Sequence, residues 1–144
     1  MARHTAGNFI KATTSSPLLT VTAFLEAGIG LGLLALPSAV TQILLAATLD
    51  TAASLTVARV AGAALLTIAV ACGLARSDAQ SCAARGLVSA LVLYNLGAAG
   101  ILAAAGLQAK AGIGLWPAVI LHVVMTLWCV KRLLRKQVGP GQSA

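Results

Sequence analysis

Four long apolar runs, separated by short polar stretches, constrain this chain more than any other feature. A hydrocarbon core about 30 Å thick is crossed by roughly 20 apolar residues at 1.5 Å rise each. The first run extends from about Leu18 to Leu36 and stops at Pro37. The second extends from about Leu55 to Ala75, the third from Gly86 to about Leu107, and the fourth from about Ile113 to Val130. Only 9% of the residues are charged, against about a quarter in a soluble domain. Such a chain cannot cover a soluble surface, and lipid removes the need because apolar side chains face outward there. The expected fold is therefore all-α, an integral membrane four-helix bundle over residues 17–134, with polar, mobile tails at 1–16 and 135–144.

Charge placement gives an expected orientation. Arg3 and Lys11 precede the first run, Arg76 and Arg85 flank the connection between the second and third, and Lys131, Arg132, Arg135 and Lys136 follow the fourth. Four crossings put these eight on one side and leave Arg59 and Lys110 for the other, a positive-inside pattern that predicts both termini in the cytoplasm. The short loops fit a bacterial plasma membrane. Trp116 and Trp128 fall near opposite ends of the fourth run, where aromatic belts form. The +7 formal charge does not point to nucleic acid, since aromatics are few and no groove-reading motif is present.

The first run has a basic leader, yet Glu26 interrupts what would be the apolar core of a signal peptide, so it is read as a retained span. After Pro37, Val40, Ile43, Leu44 and Ala47 recur at helical spacing. This predicts a short amphipathic helix over 38–50 on the outer surface; the alternative is that the first helix continues past a proline kink. Asp50 is placed either as a cap of the second span or in the outer loop. AGIGL occurs at Ala27–Leu31 and Ala111–Leu115, a coincidence expected in a chain rich in Ala, Gly and Leu.

Small residues recur four apart: Gly28 and Gly32 in the first span, Ala58 and Gly62 in the second, Gly86 and Ala90 in the third, which also carries Gly97 and Gly100. Lipid tails are as apolar as leucine, so such helices join through close van der Waals contact, which small residues permit. These faces serve packing within the chain or association with a homo-oligomeric or membrane-complex partner.

Counting from the basic end of each span brings four polar residues to one depth. Glu26 is nine residues from Pro17, Tyr94 nine from Arg85, Asn95 ten from Arg85, and His122 nine from Lys131. At 1.5 Å per residue all lie roughly 13–15 Å deep, near the bilayer centre. A carboxylate there costs about 2.5–3.5 kcal/mol unless it finds a partner or a proton. His122, the Asn95 amide and the Tyr94 hydroxyl are candidate partners for Glu26. Arg59, seventeen residues from Arg76, sits about 10 Å higher and reaches Glu26 only by snorkelling inward. The count leaves Glu26–His122 and Glu26–Arg59 both open. Asn95 reads chiefly as interhelical glue and Tyr94 as packing.

Cys72, Cys82 and Cys129 all map toward the basic end without a CxxC pair, so free thiols and no metal site are expected. No phosphate-binding loop, HExxH, GxSxG or paired acidic cluster is present, and no cofactor or enzymatic activity is expected. The stretches FLEAGIGLGLLALP (Phe24–Pro37), ARVAGAALL (Ala58–Leu66), YNLGAAGIL (Tyr94–Leu102) and LWPAVILHVVMTLWC (Leu115–Cys129) resemble small bacterial four-span membrane proteins, a resemblance that carries no activity with it. Glu26 is also similar in placement to the carboxylate in the first helix of small multidrug-resistance transporters, which binds protons and cationic drugs. The third and fourth helices depart from that family's pattern, so the likeness covers one residue. Two functions are expected from this pattern. One is a non-enzymatic subunit, assembly or scaffold partner in a membrane complex. The other is a proton-coupled transporter or small-ligand binder centred on Glu26.

Overall fold

The computed structural model describes residues 16–108 and 111–135. The expectation of mobile tails, and the charges on Arg3, Lys11, Lys110 and Lys136, fall outside these residues. Every element among them is helical: α1 (Pro17–Ala35), α2 (Pro37–Leu45), α3 (Ala52–Ala75), α4 (Cys82–Gln108) and α5 (Leu115–Arg135), with one 3₁₀ turn at Arg76–Asp78. Four of the five, all but α2, are long and apolar enough to cross a membrane. The chain is a small multipass membrane protein whose large apolar side chains, among them Phe24, Leu74, Leu93 and Ile101, face outward.

Local chemistry sets the helix ends. Pro17 opens α1 at a position where its missing N–H costs nothing. Leu36 precedes Pro37 and is driven out of the helical region, to φ −134° and ψ 56°, which ends α1. Pro37 then starts a separate helix, so the first span does not continue through a kink. The short helix after Pro37 exists but stops at Leu45, where Ala46 turns left-handed at φ 50°. Residues 47–50 are not helical, so Ala47 is not on its face. Thr51, not Asp50, caps α3: its hydroxyl accepts from the Ser54 N–H at 3.0 Å, and Ser54 reaches back to the Thr51 N–H. Thr51→Ala is expected to cost about 1 kcal/mol, read as a lower unfolding temperature in detergent. Asp50 lies in the loop and accepts from the Thr48 hydroxyl. Ser81 caps α4 by accepting from the Ala84 N–H.

α1 packs along α3 and α4 along α5, each pair antiparallel. The Ser16 N–H donates to the Arg76 carbonyl, which ties the start of α1 to the end of α3. The two pairs meet at this basic end, where Leu18, Leu19, Cys72, Val88, Leu91, Met125 and Cys129 form the core. At the opposite end, α2 is held to the α4–α5 connection by backbone bonds from Gly112 N–H to the Leu44 carbonyl and from Gly114 N–H to the Ile43 carbonyl.

The backbones of α1 and α3 approach closely between Gly30 and Gly62. A Cβ on either would stand 2.8 Å from the other's carbonyl oxygen. Gly62 is thus a packing residue as expected. Gly32 faces the Val40 side chain of α2, and a Cβ added at Gly28, Gly97 or Gly100 would point into open space. The Gly28–Gly32 pair is therefore not the seam within the chain. The residue between them is, because the buried stripe of α1 runs through Thr22, Glu26 and Gly30.

Candidate functional site

Glu26, Tyr94, Asn95 and His122 converge. With Thr22, Leu44 and Met125 they line a cavity of about 140 Å³ between the two helix pairs. Glu26 lies on the buried stripe of α1, one turn from Gly30. Asn95 lies on the buried stripe of α4, which runs Ala84, Val88, Leu91, Asn95, Ala99 at intervals of three and four. Glu26 is 7% exposed and Asn95 2%.

Two consecutive residues of α4 serve two neighbours, because successive side chains on a helix point about 100° apart. The Tyr94 hydroxyl donates to Glu26 Oε2 at 3.2 Å, joining α4 to α1. Asn95 Oδ1 lies 2.8 Å from His122 Nδ1, joining α4 to α5. The Tyr94 and His122 rings meet edge to face, centroids 5.7 Å apart at 83°. Of the candidate partners for the carboxylate, Tyr94, read chiefly as packing, is the one that bonds it.

The amide orientation fixes the imidazole tautomer. Asn95 Nδ2 donates to the Leu91 carbonyl at 2.8 Å, so the amide oxygen faces His122. That oxygen can only accept, so Nδ1 carries the hydrogen. Nε2 of the neutral ring is then a free acceptor, and it makes no hydrogen bond among the described residues. The second Glu26 oxygen is likewise unbonded among them. Two acceptors thus border the cavity without a donor between them.

Of the two partners left open for Glu26, Arg59 is excluded: it is exposed and pairs with no carboxylate among the described residues. It does not line the cavity. His122 shares the cavity with Glu26, but its Nδ1 hydrogen is committed to Asn95. Cys72 and Cys129 are buried in the core below the site, and Cys82 is exposed. No three His, Cys, Asp or Glu side chains cluster closely enough for a metal among the described residues.

The cavity reaches the lipid-facing surface. Ile29 of α1 and Leu121 of α5 line it and are also 47% and 40% exposed on the outside of the bundle. Sequence reasoning missed the contribution of α2, whose Leu44 borders the cavity; its place at helical spacing with Val40 was the available signal. Comparison with protein-family models, with curated proteins and with solved structures returned no match.

Proposed function

We propose that this protein is a non-enzymatic, membrane-embedded binder of a small apolar amine, held by Glu26 in exchange for a proton. The observation that carries the reading is the convergence of Glu26, Tyr94, Asn95 and His122 on one cavity with two acceptors unmet. A carboxylate inside a bilayer needs a counter-charge or a proton. No cationic side chain supplies one among the described residues. An ammonium group brings that charge together with N–H donors for Glu26 and for His122 Nε2.

Size limits the ligand. A cavity of about 140 Å³ suits one six-membered ring, since an engineered apolar cavity of about 150 Å³ admits benzene. Ile29 and Leu121 both line the cavity and are exposed on the bundle surface, so an apolar tail on the ligand would lie along them toward lipid. The placement of Glu26 agrees with the resemblance to multidrug-resistance transporters at this one residue. The basic ends further support a bacterial plasma membrane with both termini in the cytoplasm.

The test is benzylamine binding to the purified protein in detergent, with benzyl alcohol as the uncharged isostere. Wild type is expected to prefer the amine, and more strongly at pH 8 than at pH 5, because protons compete for Glu26. Glu26→Gln keeps an acceptor for Tyr94 but removes the charge. It should weaken amine binding at least tenfold, the scale of a charge-assisted bond of about 1.5–3 kcal/mol, and flatten the pH dependence. Equal binding by Glu26→Gln at both pH values sinks the reading. A second reading, an assembly partner, is favoured by Gly28, Gly97 and Gly100, whose open faces remain available to another helix.

A further inference from the structure

The structure points to a second, independent site: a groove at the basic end of α5 that holds the phosphate headgroup of an anionic phospholipid. Val124, Trp128, Lys131 and Arg135 succeed one another at intervals of four, three and four, so they form one stripe along α5. They line a groove of about 430 Å³ together with Arg132, and Gln80 closes it from the turn before α4.

The groove is graded along the membrane normal. Toward the bilayer centre its wall is apolar, with Val124 and Leu127 exposed to lipid. Next comes Trp128, an amphipathic ring of the kind that settles at headgroup level. At the mouth stand three cations and the Gln80 amide. An acyl chain, a glycerol backbone and a phosphate present their chemistry in that same order.

Charge commits the site to an anion. Lys131 and Arg135 are four apart, a like-charge spacing that disfavours the helix unless an anion lies between them. Asp78 is the only acidic residue at this end of the bundle, and it forms no ion pair with the groove cations among the described residues. Part of this charge is favourable at the C-terminus of α5 through the helix dipole. That effect accounts for cations in the last turn, but not for an amide donor and a tryptophan facing them from the same groove. Basic pockets at helix ends take lipid phosphates for the electrostatic reason seen here.

The experiment is native mass spectrometry of the full chain in detergent micelles doped equally with phosphatidylglycerol and phosphatidylcholine. The expected result is preferential retention of phosphatidylglycerol. Arg132→Gln and Arg135→Gln should each lower that retention about fivefold, the ratio set by the worth of one basic residue at an anionic surface. Arg76→Gln removes the same charge outside the groove and should leave retention unchanged. Equal retention of the two lipids overturns the proposal, as does an equal loss with Arg76→Gln, which would reduce the effect to net charge. Displacement of the lipid by an equal concentration of glycerol phosphate also overturns it, because the apolar wall would then contribute nothing. Arg135 is exposed at the end of its helix, so Arg135→Gln carries the test even if Arg132→Gln fails to fold.

Discussion

Gly62→Leu is expected not to give a folded bundle, whereas Gly28→Leu is expected to fold like wild type. At Gly62 even a Cβ would stand 2.8 Å from the Gly30 carbonyl oxygen and 2.9 Å from Leu33 Cβ. The nearest obstacle is backbone, which cannot rotate away. The helices must separate, and in lipid no hydrophobic force draws them back, because their cohesion is the close contact itself. Overpacking of a tight site costs about 1–3 kcal/mol for a few added atoms. Gly62→Ala should fall in that range, and Gly62→Leu beyond it. Gly28 has open space around it, so its substitution should stay within about 0.5 kcal/mol and act only on association with another chain. Thermal unfolding and size-exclusion profiles in mild detergent measure all three. A Gly62→Leu protein as stable and monodisperse as wild type would show that the α1–α3 seam lies elsewhere.

The contrast between those two glycines marks where the sequence was informative. Hydropathy placed the four long helices because lipid demands apolar surface over a fixed thickness. Counting residues gave depth because the rise of a helix is constant, and Glu26, Tyr94, Asn95 and His122 meet as that count implied. That count left Arg59 open, and it is the outward direction of its side chain, exposed and away from the cavity lining, that separates it from Glu26. What neither hydropathy nor depth gives is azimuth. Gly28 and Gly30 are two residues apart, about 200° around the helix, and a small-xxx-small pattern cannot say which face is inward. The buried stripe could have been read by anchoring it on the carboxylate: Thr22, Glu26 and Gly30 are four apart, and Gly28 is off that line. The tautomer of His122 was beyond any sequence argument, since it depends on Asn95 donating to the Leu91 carbonyl. The groove on α5 was half legible. Its stripe is in the spacing of Trp128, Lys131 and Arg135, legible separately as a belt aromatic and as topology charges, while Gln80 joins it through tertiary structure alone.

Gly112→Val is expected to release α2 while leaving the four long helices assembled. A helix leaves its last carbonyls without partners. For α2 these carbonyls, on Ile43 and Leu44, are met by the N–H groups of Gly114 at 2.9 Å and Gly112 at 3.1 Å. The approach is so close that a Cβ on Gly112 would overlap the Ile43 carbonyl. Glycine is required there for space and not for conformation, since no glycine among the described residues has positive φ. Substitution forces the connection away from α2 and breaks both bonds, at about 1 kcal/mol net each, with overpacking strain added. The readout is hydrogen exchange. The Gly114 amide should lose its protection, while amides in the middle of α1 and α3 keep theirs. Because Leu44 borders the cavity, benzylamine should also dissociate faster from this variant than from wild type at the same pH. Gly114 protection that survives Gly112→Val would mean that α2 is seated by its side chains alone. Loss of protection with unchanged ligand dissociation would mean that ligand leaves sideways, between Ile29 and Leu121. The two measurements therefore separate the role of α2 in closing the cavity from its role in covering the end of the bundle.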